Sequence, residues 1–80
     1  MMKYEDVLKR TIELFATMAD TEDEITEDSE LIEDLGISSM DILFLISSLE
    51  EEFKIKIPEK EIRKMYTIGD VAETIVALDQ

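Results

Sequence analysis

The sequence predicts an all-α fold: a four-helix bundle with three longer helices, one short helix, and a long acidic loop between the first two helices. Three observations carry this. Apolar residues recur at spacings of three and four in three stretches, which is the period of a helix with one buried face. Gly36, Gly69 and Pro58, the only two glycines and the only proline, punctuate those stretches. A dense run of carboxylates with no periodicity separates the first stretch from the second. With 80 residues, 45% of them hydrophobic, the chain has material for one core and one domain over residues 1–80.

The first helix is expected from about Tyr4 to Met18, with Leu8, Ile12, Phe15 and Ala19 on its buried stripe. The second should span Ser39 to Phe53. Ser38 offers a hydroxyl cap and Asp41 a carboxylate near the positive end of the dipole. At about 100° per residue, Ile42, Leu45, Ile46, Leu49 and Phe53 fall on one side and form its core face. Met40, Phe44 and Ser47 point away from that face, and Leu43 lies about 100° from Ile42. Apolar side chains on an outward face predict a contact surface, unless the preceding loop folds over them. Phe53 to Ile57 alternates apolar residues with lysines, but five residues before a proline make a linker better than a strand. A short third helix follows with Pro58 at its first position, where the missing N–H costs nothing, and Ile62, Met65 and Tyr66 packing inward. Thr67 and Asp70 resemble a capping box for the last helix, whose buried stripe is Ile68, Val71, Ala72, Ile75 and Leu78.

Eight Lys and Arg against 21 Asp and Glu give a net charge of −13. Such a surface is repelled by nucleic-acid phosphates and anionic lipid, and it attracts basic proteins. Between Thr11 and Phe53 lie 14 of the 21 acids and no cation; Asp20 to Asp34 alone holds nine of them. That loop is expected to be solvated and self-repelling, with a melting temperature that salt or Mg²⁺ raises. Asp20 to Ile25 starts like a calcium-binding loop but places Ile25 where the turning glycine belongs, so no specific metal site is expected. The chain has no Cys and no His. It therefore has no disulfide, no thiolate nucleophile and no imidazole base, and no catalytic residue is expected in it. Met1 to Arg10 lacks the apolar centre of a signal peptide, and no apolar run is long enough to span a membrane. A monomer that stays in the cytoplasm is the expectation.

The chemistry concentrates in Glu33-Asp-Leu-Gly-Ile-Ser-Ser-Met-Asp41. This segment resembles the prosthetic-group attachment site of acyl carrier proteins, in which a turn ending in Leu-Gly-x leads into Asp-Ser-Leu. Leu49-Glu-Glu-Glu-Phe53, the following Ile55-Lys-Ile-Pro58, and Thr67 to Leu78 match the same family, so the resemblance covers nearly the whole chain. It implies that Ser39 carries 4′-phosphopantetheine through a phosphodiester, added from coenzyme A by a phosphopantetheinyl transferase. Acyl groups then ride as thioesters on the arm's thiol to acyl-loading and acyl-processing enzymes with basic docking surfaces, in fatty acid, polyketide or related synthesis. The residues agree with this. A serine in the first turn of a helix sets an attached phosphate beside open N–H groups, and the cofactor supplies the thiol that the chain lacks. A core between helices can shelter an acyl chain, with burial worth about 0.8 kcal/mol per CH₂.

Ser38 is the competing hydroxyl. Ser39 is preferred because it precedes an apolar residue and then Asp41, as the family's modified serine does, while Ser38 stands where the family usually has Asp. Two further departures concern partners. Phe44 occupies a usually acidic position, and Ser47 an often apolar one. Met40, Asp41, Leu43, Phe44, Ser47, Glu50 and Glu51 are the expected partner-binding residues, with Phe44 matched to an apolar pocket. The competing functional reading is an unmodified acidic helical module that binds a basic protein.

Overall fold

The computed structural model describes residues 2–79. Four helices follow one another in the order expected: α1 (Tyr4–Ala16), α2 (Ser39–Phe53), α3 (Glu59–Ile62) and α4 (Ile68–Leu78). The only β-type pairing among the described residues is an isolated bridge between Glu30 and Thr67. α1 packs chiefly on α4 and more lightly on α2.

The core is drawn from every part of the chain. Val7 and Phe15 of α1, Leu45, Ile46 and Leu49 of α2, and Ile68, Val71, Ala72 and Ile75 of α4 form one cluster. Ile57 and Met65, outside the helices, also belong to it. Leu31, Leu35 and Ile37 enter it from the acidic loop. A Leu, Ile, Val or Phe side chain so buried contributes about 1.5–3 kcal/mol against the conformational entropy of folding.

Several expectations need correction. α1 ends at Ala16 rather than Met18, because Thr17 and Met18 turn out with bonds to the carbonyls of Leu14 and Phe15. Its buried line is Val7, Thr11 and Phe15, with Leu8 and Ile12 half-buried on the flank and Ala19 half-buried beyond the helix. Thr11 can be fully buried because its hydroxyl donates to the Val7 carbonyl at 2.7 Å. In α2 the outer members of the expected face, Ile42 and Phe53, are half-buried, as is Leu78 at the end of α4. Pro58 stands at the N-cap of α3, one position before its first helical residue, and its carbonyl accepts from the N–H groups of Glu61 and Ile62. Tyr66 was expected inside and lies outside, 69% exposed. Its N–H donates to Asp70 Oδ2 at 2.8 Å and its carbonyl accepts from Leu31 N–H at 2.8 Å. Met65, its neighbour, takes the buried place instead.

The acidic loop is fastened, not free. Ile68 N–H donates to the Ser29 carbonyl, and Gly69 N–H to the Glu27 carbonyl at 2.8 Å. Gly69 suits this closeness: a Cβ there would lie 3.0 Å from the Glu27 carbonyl oxygen and 3.3 Å from the Tyr4 hydroxyl, so both neighbours would have to give by a few tenths of an ångström. The Tyr4 hydroxyl donates to Glu27 Oε1 at 2.7 Å, tying the loop to α1 as well. That bond, helped by burial and by the negative charge of Glu27, pushes the Tyr4 phenol up to about 12. Farther on, Gly36 adopts φ +66, a left-handed turn that a Cβ would strain. It reverses the chain between buried Leu35 and buried Ile37 and delivers it to the start of α2.

Candidate functional site

The two adjacent serines have different surroundings. Ser38 is the N-cap of α2: its backbone is extended, and its Oγ accepts from Asp41 N–H at 3.2 Å. Ser39 is the first helical residue. It is exposed, and its hydroxyl has no hydrogen-bond partner among the described residues. The N–H groups of Ser39 and Met40 likewise have no acceptor among them, whereas those of Asp41 and Ile42 are taken by the Ser38 hydroxyl and carbonyl. Open N–H groups at the positive end of a 15-residue helix suit an anionic phosphodiester on the neighbouring oxygen. The residues present therefore fit a phosphopantetheine attached at Ser39.

A groove of about 290 Å³ opens beside Ser39, between α2 and the segment that follows α3. Half-buried Ile42 and Ile62 and buried Met65 form its floor. Exposed Ile32, Leu43 and Tyr66 stand along its rim, with Arg63 at the edge. Ile32 and Tyr66 were not anticipated here. Nothing in their local sequence marks them, because the loop closure onto α4 is what brings them to α2.

The expected partner residues divide into distinct environments. Met40 is 81% exposed, and Leu43, Phe44, Ser47, Asp41 and Glu51 are also exposed. The loop does not cover this face; it runs to the start of α4 instead. Glu50 is different. It is half-buried, and its Oε2 accepts from Ile57 N–H at 2.7 Å, holding the linker after α2. Glu52 is also engaged, taking two hydrogen bonds from the Arg10 guanidinium at 2.7 and 2.9 Å. This pairing holds the Glu52 carboxyl below the usual carboxylate range and raises the Arg10 guanidinium. Among the described residues, Asp41 and Glu51 are the α2 acids whose side chains have no partner within the chain. No group of three or more carboxylates is gathered to hold a metal among those residues, and Ile25 packs half-buried against the core.

No described helix is long and apolar enough to cross a membrane. The family model described as the phosphopantetheine attachment site matches residues 9–75. An acyl carrier protein from Wolinella succinogenes is 45% identical over 53 residues, covering 66% of this chain and 70% of that protein. One from Clostridium perfringens is 50% identical over 54 residues, covering 68% and 71%. Among solved structures, the acyl carrier protein from Enterococcus faecalis matches with a TM-score of 0.80 at 27% identity, over 96% of this chain and 99% of that one. These matches decide between a carrier and an unmodified acidic module. With four helices in that family's arrangement and an attachment-site match over most of its length, the chain belongs to the acyl carrier protein family and is a phosphopantetheine-binding carrier.

Proposed function

We propose that Ser39 is the attachment residue, that a phosphopantetheinyl transferase installs the arm there, and that the chain then carries acyl groups between acyl-loading and acyl-processing enzymes of fatty acid, polyketide or related synthesis. The observation that carries this is the division of labour between two hydroxyls. The Ser38 oxygen is engaged in capping α2, and the Ser39 oxygen is exposed without a partner. When bound, 4′-phosphopantetheine supplies a terminal thiol that holds acyl groups as thioesters. The chain's own residues present and orient. Ser39 offers the oxygen, and the open N–H groups of Ser39 and Met40 in the same first turn would favour a negative charge attached there. Gly36 and the Ser38 cap fix the direction of the first turn. The groove floored by Ile42, Ile62 and Met65 gives an apolar surface beside the attachment point.

The same reading includes a non-catalytic, monomeric protein forming one domain over residues 1–80. A single core shared by the helices supports the one-domain part. A chain without Cys or His supports the absence of catalysis and fits a reducing cytoplasm. Asp41 and Glu51 are the α2 carboxylates open to cations of a partner. The test is intact mass after incubation with coenzyme A, Mg²⁺ and purified transferases. Gain of one phosphopantetheine by the wild-type chain and none by Ser39→Ala is expected; equal gain by both would overturn the assignment.

A further inference from the structure

We propose that the transferase docks on an apolar collar around Ser39 rather than on the acids of α2, and that it offers this chain an apolar pocket with few cations. The proposal rests on Ser39 being the attachment residue. The large side chains that remain exposed, Ile32, Met40, Leu43, Phe44 and Tyr66, come from three separated segments of the chain. Single exposed apolar residues need no account, but three of these share one groove with the attachment serine. Ile32, Leu43 and Tyr66 line the same groove as Ser39. Met40 follows Ser39 directly, and Phe44, one turn later, extends the apolar surface along the outer side of α2.

Fewer α2 carboxylates are open to a partner than the sequence suggests. Glu50 is held by the Ile57 N–H and Glu52 by Arg10, which leaves Asp41 and Glu51 for a partner. Arg63 at the groove edge carries the opposite sign. Tyr66 is presented on a backbone pinned at both its N–H and its carbonyl, so its main chain loses little freedom on docking. The occupant follows from position: an enzyme that reaches the Ser39 oxygen must lie over the residues that surround it.

The experiment uses the full-length apo chain, coenzyme A and a purified transferase that loads it, with rates followed by intact mass. Raising NaCl from about 50 to about 500 mM should change kcat/KM by less than about threefold, whereas docking steered by charge loses tenfold or more. Phe44→Ala and Tyr66→Ala should each lower kcat/KM by about tenfold, mainly through KM, with Phe44→Leu and Tyr66→Phe restoring most of the rate. The double variant Asp41→Asn, Glu51→Gln should lose less than Phe44→Ala. Circular-dichroism melts confirm folding; both aromatic side chains are exposed, and a variant that melts early is replaced by its conservative partner in the ranking. A steep salt dependence, or a loss from the acid pair exceeding that from either aromatic, overturns the collar and leaves Ser39 in place. No mass gain by the wild-type chain with any transferase overturns the attachment itself and the collar with it.

Discussion

Replacing Ser38 and Ser39 one at a time should separate stability from modification. The Ser38 hydroxyl accepts the Asp41 N–H at 3.2 Å, a long bond. Ser38→Ala removes it and leaves one more first-turn donor to water. Loss of such a cap costs about 1 kcal/mol. Unfolding entropy of about 2.1 cal/mol/K per residue over 80 residues is about 0.17 kcal/mol/K, so the melting temperature should fall by about 6 °C. Ser39→Ala removes no bond within the described chain and places a better helix former at an exposed helical position. Its melting temperature should stay level or rise by about 1–3 °C. Loading should show the reverse pattern: full mass gain with Ser38→Ala and none with Ser39→Ala. The two assays are a circular-dichroism melt and an intact mass after transferase treatment. Loading lost in Ser38→Ala and kept in Ser39→Ala would refute the reasoning, as would an unchanged melting temperature for Ser38→Ala.

Leu49 is fully buried between the helices, so Leu49→Ala should cost about 3 kcal/mol, or about 18 °C of melting temperature, in a thermal melt. Tyr4 holds its proton to about 12 because the neutral hydroxyl donates to Glu27. A phenol raised in the folded state stabilises the fold fully below its unfolded value of about 10 and loses that contribution as pH rises towards its folded value. Stability measured against pH should therefore fall between about 10 and 12 in the wild type, and less so in Tyr4→Phe. With 14 carboxylates and no cation between Thr11 and Phe53, NaCl or Mg²⁺ should raise the melting temperature, and a profile flat in salt would contradict the repulsion.

The parts of the fold legible in sequence are those decided locally. α2 and α4 read correctly because their apolar stripes are unbroken and their caps, Ser38 and the reciprocal Thr67–Asp70 pair, are bonds between near neighbours. The α1 stripe differs in its first two turns, where Val7 and Thr11 replace Leu8 and Ile12 as the most buried residues, because Thr11 counts as polar until its hydroxyl is satisfied by the Val7 carbonyl within its own helix. Leu31, Leu35 and Ile37 carry no periodic signal, since their burial depends on bonds such as Leu31 N–H to the Tyr66 carbonyl, thirty-five residues away. The same long-range bond holds the backbone of Tyr66, whose side chain stays exposed. At the site, the hydroxyl motif was readable because it is contiguous. The engagement of Glu50 and Glu52 was not, because sequence gives the sign of a carboxylate but not the donor that folding brings to it.

The backbone ties from Glu27, Ser29 and Leu31 to the segment Tyr66–Gly69 have a consequence for how the protein is made. During synthesis the acidic stretch emerges from the ribosome well before the strip of chain it must button to. Until that strip arrives, Leu31, Leu35 and Ile37 have no wall to settle against, and the carboxylates around them favour expansion. The first fifty-odd residues should therefore stay open, with α2 as the element best able to form early on its own, and close in a single late step once α4 has been released.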